Sequence, residues 1–146
     1  MTKINYTKVL DQLALQVGGL IEIYVLGASY EDWSRVIDGL RQAGYEMALT
    51  ELETEIPVDF GPHVFDKMSD VEYRLAIRLG CQVWTSSFYS LDSIDFQGDP
   101  RDVTSTGDLV SIIQLMMHLN ESLAKRVVLV PETFDPGMVE PYLAIP

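Results

Sequence analysis

The sequence predicts one α+β domain spanning residues 1–146, with a mainly antiparallel central sheet and helices chiefly on one of its faces. Three observations predict this class. Apolar residues recur at helical spacing near the start of the chain and again after Thr106, whereas they alternate with polar residues from Val71. Short apolar runs bounded by glycine or proline lie between these segments. The predicted element order is α-β-α-β-β-β-α-β.

The N-terminal third alternates helix and strand. Gly18 and Gly19 follow a helical apolar stripe and are typical of a helix C-terminus. The next run is short and rich in β-branched residues, as expected of a mostly buried strand, and Ser29 is placed to cap a second helix. The predicted elements are a helix over Asn5–Val17, a strand over Leu20–Leu26, a helix from Ser29 to Gly44 and a strand over Tyr45–Leu52.

The middle of the chain begins with a long connection and continues as a hairpin. Proline and glycine interrupt Glu53–Asp70, which predicts an irregular segment of the kind that often carries function. The clearest strand signal is Val71–Leu79, where Tyr73, Leu75 and Ile77 are predicted to face the core. The remaining predictions are a tight turn at Gly80-Cys81, a return strand over Gln82–Tyr89, and Leu91–Phe96 as its continuation or as a separate strand.

The C-terminal third contains the strongest helix signal. Thr104, Ser105 and Thr106 offer caps to this helix, which extends to Lys125. A short apolar strand over Val127–Val130 follows it. The tail after Glu132 contains three prolines and is predicted to be extended or irregular.

Composition excludes several classes of partner. Twenty-two carboxylates against ten Lys and Arg give a formal charge of −12, which repels nucleic acid and anionic membranes. The start of the chain lacks a basic region followed by an apolar one, so we expect a cytosolic protein. A single cysteine, Cys81, leaves no internal disulfide and agrees with a reducing compartment.

No catalytic or metal-binding pattern emerges, and no cofactor is predicted. The aspartates at 92, 95, 99 and 102 lack the spacing of a calcium loop and are interrupted by Pro100. His63 and His118 belong to no metal-ligand spacing, and Cys81 has no family context of a nucleophile. Glycine-rich phosphate loops and the GxSxG pattern are also missing from the sequence. The sequence therefore predicts a protein that is not an enzyme.

A stretch rich in carboxylates and almost free of basic residues is the strongest indication of a binding surface in the sequence. Eight carboxylates lie between Glu46 and Glu72, against one lysine. Such a stretch either keeps the protein soluble or attracts a basic partner. An apolar groove beside Met116 and Met117 is the other candidate surface. We predict partner binding through Glu51, Glu53, Glu55, Asp59 and Asp66, with a second contribution from Asp92, Asp95 and Asp99.

The second half of the chain resembles the small immunity proteins that protect bacteria from their own polymorphic or contact-delivered toxins. The resemblance lies in the strand ending at Tyr89–Phe96, the turn Asp99–Val103, the long helix, and the helix-to-strand step at Lys125–Glu132. It implies a small acidic cytosolic domain that binds a toxin, often a basic one, one to one. It transfers no binding residue to this chain.

Two other functions stay open at this point. A secretion chaperone or adaptor is also small and acidic, and it would form a homodimer with exposed apolar grooves. A small metal-dependent or acid/base enzyme would use Asp95 and Asp99. A metal-dependent rise in thermal stability would favour the enzyme.

Overall fold

The residues that the structure describes contain three α-helices and one short 3₁₀ helix. The computed structural model describes residues 3–16, 18–29, 31–58, 73–88, 93–133 and 135–146, and it confirms the α+β class. The helices are α1 at Tyr6–Leu15, α2 at Asp32–Gln42 and α3 at Thr106–Leu123, with the 3₁₀ helix at Pro100–Asp102. None of the helices in these ranges combines the length and the apolarity needed to cross a bilayer.

The strands form a single antiparallel sheet. Its order is β3-β2-β4-β5-β6-β1-β7-β8, and every neighbouring pair runs antiparallel. The strands are β1 at Ile21–Val25, β2 at Glu46–Glu51, β3 at Thr54–Ile56, β4 at Tyr73–Leu79, β5 at Gln82–Ser86, β6 at Ile94–Gly98, β7 at Val127–Pro131 and β8 at Leu143–Ile145.

Three of the described strands, β3, β6 and β8, were not in the predicted element order. Strand β6 is separate from β5, whereas the sequence left both possibilities open. Strand β3 lies inside the predicted irregular connection, because the chain reverses directly after β2 and pairs back onto it. Strand β8 lies in the tail that was predicted to be irregular, because Tyr142 donates its N–H to the Leu129 carbonyl and pairing with β7 follows. The predicted element ends at Val17, Val71, Tyr89 and Leu91 lie outside the described residues.

The helices pack against one face of the sheet, which we call the core face. On the core face, Ile23, Leu75 and Leu129 belong to one apolar cluster with residues of all three α-helices. Helix α3 packs against β1, β4, β7 and β8, while α1 and α2 pack against α3. This confirms the predicted layer of helices on one side. We call the opposite side the outer face; Arg74 and Arg78 of β4 point to it and are exposed.

Capping follows the prediction at α3 and departs from it at α2. Ser105 and Asp108 form a reciprocal capping box at the start of α3. At α2, however, Ser29 does not cap the helix. Its N–H and hydroxyl instead donate to the Asp32 carboxylate, at 2.8 and 3.3 Å. The Lys125 ammonium lies 2.6 Å from the same carboxylate, so α2 is tied to the segment that follows α3.

The Asp32 carboxylate is held in its charged form. Burial acts to raise its pKa, but the hydrogen bonds from Lys125 and Ser29 outweigh burial and hold the pKa below its ordinary value. The pair joins residues 93 positions apart in sequence. It therefore fixes the start of α2 relative to the end of the long helix.

The core face of β4 yields the first prediction. Leu75 is fully buried there, with Tyr73 and Ile77 beside it, as the alternation predicted. Leu75→Ala should lower the free energy of unfolding by roughly 2–5 kcal/mol, because it leaves a cavity in the core. Leu15→Ala is the matched control: Leu15 is 78% exposed, and its loss should change stability by less than about 0.5 kcal/mol. Urea denaturation measures both, and equal shifts would contradict this assignment of the core.

Candidate functional site

The hairpin of β2 and β3 has an unusual turn. Glu51 and Thr54 form the last pair of the ladder, and Leu52 and Glu53 make the two-residue connection. Both connecting residues adopt positive φ, 48° and 71°. Turns of this kind favour asparagine and glycine, since a side chain such as leucine is strained in the left-handed region. The Leu52 side chain is nevertheless 64% exposed at the tip.

Carboxylates surround this leucine. Glu53 and Glu55 are exposed and Glu51 is half-buried. None of the three forms an ion pair with a residue that the structure describes. Strand β3 is also the last strand on its side of the sheet among the described residues, so no other described strand covers this hairpin. Three of the predicted partner-binding residues therefore share one surface, which we call the acidic hairpin (residues 51–55).

A second acidic group lies on the outer face, across β1 and β6. Glu22 is opposite Gln97 and Tyr24 is opposite Asp95, so Glu22 and Asp95 are diagonal neighbours on one face. Diagonal residues of this kind have Cβ atoms about 7–8 Å apart or slightly less. Glu22 retains 5% of its exposure and Asp95 retains 9%. We call these two residues the buried carboxyl pair.

The buried carboxyl pair is electrostatically unfavourable. Burial raises the pKa of Glu22 to about 7; the charges of Asp95 and Glu132 add to the rise, and a hydrogen bond from Gln97 opposes it. Burial also raises the pKa of Asp95. The Asp95 carboxyl makes no hydrogen bond or ion pair with any described residue.

The tail adds more negative charge around the pair. Glu132 is positioned beside β1 because its N–H donates to the Leu20 carbonyl at 3.0 Å. Burial raises the pKa of Tyr24, and the charges of Asp95, Glu22 and Asp135 raise it further. Every charge that acts on Glu22 and Tyr24 from the described neighbours is thus negative.

The predicted site residues do not form one surface. Asp59, Asp66 and Asp92 lie outside the described residues. Three strand spacings separate β2 from β6, so the acidic hairpin and the Asp95 strand are roughly 14 Å apart. The Asp99 carboxylate accepts hydrogen bonds from the Arg101 backbone and guanidinium, which hold its pKa below the ordinary value. Arg101 therefore balances the negative charge of Asp99 within the same turn.

Sequence reasoning missed Glu22. The residue was part of a strand predicted to be mostly buried, and a lone charged residue in such a run was the available signal. Its burial arises because β6 and β7 flank β1, and that arrangement is non-local.

The other candidate residues, the histidines and the cysteine, lie apart from one another in the sequence, and His118 packs within the structure. The described residues contain no group of three or more His, Cys, Asp or Glu side chains able to hold a metal. Cys81 is exposed in the β4–β5 turn, and His63 lies outside the described residues. The His118 ring covers Gly39 of α2, where an added Cβ would lie 2.9 Å from Nε2. His118 also lines an open cleft of about 500 Å³ with Tyr45 and Met117.

Comparisons with known proteins give no relative. No family model, no curated protein and no solved structure matches this chain.

Stability should depend on pH through Glu22. Its pKa of about 7 in the folded protein exceeds the ordinary 4.5, so the folded state loses stability as pH rises from 4.5 through 7. Glu22→Gln removes this loss and should raise the free energy of unfolding at pH 8 by roughly 1–3 kcal/mol. The gain should disappear near pH 4.5, where Glu22 is protonated in both states.

Urea denaturation of both proteins at pH 8, 6.5 and 4.5 measures this dependence. Glu121→Gln is the control, because Glu121 is an exposed carboxylate on α3. A Glu22→Gln variant that is less stable than the wild type at every pH would show that the carboxylate is satisfied by other groups.

Proposed function

We propose that this chain is a protein-binding domain that acts without catalysis, as an immunity protein that inhibits a basic bacterial toxin. The acidic hairpin makes the first contact with the toxin. The single observation that carries this proposal is an exposed leucine in a left-handed turn, set among carboxylates that have no described ion-pair partner.

The leucine supports a binding role because it is unfavourable for folding alone. A non-glycine residue in the left-handed region costs about 1–2 kcal/mol, and an exposed leucine contributes little burial in return. Backbone strain of this kind clusters at functional positions. An apolar anchor within a polar rim is also how binding energy is distributed at protein interfaces.

The carboxylates support a basic partner. Glu53 and Glu55 are exposed, and no described cation neutralises them. The whole chain carries a charge of −12, so the long-range field has the same sign as the hairpin. Such a field attracts a positively charged protein and can raise its association rate to about 10⁸–10⁹ M⁻¹s⁻¹ at low salt.

Charge neutralisation tests the steering role. The partner is first isolated from the native host with the wild-type chain as bait, and its gene is sought next to the gene for this chain. Combined Glu51→Gln, Glu53→Gln and Glu55→Gln should slow association with that partner about tenfold or more at low salt. The melting temperature should stay nearly constant, because exposed charges contribute little to stability. Stopped-flow mixing at increasing salt measures the rate.

The matched control removes the same charge elsewhere. Asp11, Glu121 and Glu140 are exposed, and their replacement by the corresponding amides also removes three negative charges. This control should slow association much less than the hairpin variant. Equal rates for the two variants would mean that only net charge matters, and a rate insensitive to salt would rule out steering altogether.

Leu52→Gly separates binding from folding at the same residue. Glycine adopts positive φ without strain, so stability should be unchanged or rise by about 1 kcal/mol. Affinity for the partner should fall about tenfold or more, because the apolar anchor is lost. Calorimetry of binding and urea denaturation give the two values. Affinity that matches the wild type would remove Leu52 from the interface.

A further inference from the structure

The buried carboxyl pair is a separate feature from the acidic hairpin, and folding alone does not account for it. Two carboxyls lie on the outer face with 5% and 9% of their exposure. Asp95 has no hydrogen-bond or ion-pair partner among the described residues. Glu132 lies beside Glu22, because its backbone N–H donates to the Leu20 carbonyl. A buried polar group without a partner is costly, and the cost disappears when a ligand supplies the missing donor.

We propose that Glu22 and Asp95 form a binding site for an organic cation, an alkylammonium or a guanidinium group, with Glu132 adding negative charge beside Glu22. Such a cation supplies positive charge to both carboxyls and hydrogen-bond donors to Asp95, which receives none from the described residues. A guanidinium is especially suitable because its planar set of donors matches carboxylate oxygens.

The surroundings of the pair admit such a ligand. Tyr24, Gln97 and Thr85 lie on the same outer face and are only half-buried, so solvent reaches this part of the sheet. Glu132, which lies beside Glu22, is exposed. The aromatic ring of Tyr24 offers a further surface for a cation.

The described residues favour an organic cation over a metal ion. They hold no group of three or more His, Cys, Asp or Glu side chains with the geometry of a metal site. A diffuse organic cation needs no such ligand shell, because two carboxylates and one aromatic ring recognise it through hydrogen bonds and charge.

The same chemistry has two sources, a free small molecule or a Lys or Arg side chain of another protein. The inference does not depend on the proposed toxin. Strand β2 of the hairpin lies three strand spacings, roughly 14 Å, from the Asp95 strand and one spacing more from the Glu22 strand, so each group can be altered without changing the other.

The test uses two side-chain analogues, methylguanidinium chloride and n-butylammonium chloride, at pH 8. Tetramethylammonium chloride at equal ionic strength is the reference, since it is a cation without N–H donors. For the wild-type chain, the two analogues should raise the melting temperature saturably and more than the reference does. Binding should weaken at pH 5.5, where Glu22 takes up a proton.

Variants assign the effect to the pair. Glu22→Gln and Asp95→Asn should each weaken the binding of the analogues at least tenfold, whereas Glu121→Gln should bind as the wild type does. Glu22→Gln relieves repulsion between like charges, so it should fold, and loss of binding in that variant is not loss of structure. Wild-type binding by both pair variants would overturn the proposal.

A second arm distinguishes the two sources. It uses a five-residue peptide, blocked at both ends, with one central arginine and glycines elsewhere. Binding of this peptide at least tenfold tighter than methylguanidinium would assign the site to a protein side chain. Binding of the analogues without binding of the peptide would assign it to a small molecule. If neither the analogues nor the peptide exceed tetramethylammonium, the pair is not a cation site.

Discussion

The burial of β1 on both sides is the constraint on which the rest of the structure depends. Ile21, Ile23 and Val25 are fully buried on the core face, while Glu22 is buried on the outer face. Strand β1 lies between β6 and β7, so it joins the five strands on one side to the two on the other. Four of the five β1 residues are buried, as expected of a central strand, and Tyr24 is half-buried. The one carboxyl in the strand, Glu22, is where close packing and negative charge conflict.

The helices follow from the same arrangement. Helix α3 lies across the sheet and contacts strands from both parts, and α2 packs on α3. The Asp32–Lys125 pair then fixes the start of α2 against the chain entering β7. Removing one partner of such a pair leaves the other charge partly buried, so the pair specifies geometry as much as it adds stability.

Local patterns were enough to predict the elements that carry local signals. The alternation in β4 gave the strand and its core face, and the Ser105–Asp108 sequence gave the start of α3. Strand β3 was missed because its turn consists of Leu52 and Glu53, which are not residue types that mark a tight turn in a sequence. Strand β8 was missed because prolines surround it, although proline is compatible with an edge strand. The cluster of carboxylates at Glu51, Glu53 and Glu55 was visible in the sequence, although the hairpin that presents it was not predicted. The buried carboxyl pair depends on strand order, which one sequence does not reveal.

Among the described residues, the sheet ends in two strands of only three residues each, β3 and β8. An exposed strand edge can template pairing with another molecule and lead to aggregation, and short charged edges prevent this. On β3, Glu55 would lie close to the same residue of a second copy in any edge-to-edge contact near its centre, and the two negative charges would repel. The carboxylates at this edge therefore disfavour edge-to-edge pairing between copies of the chain.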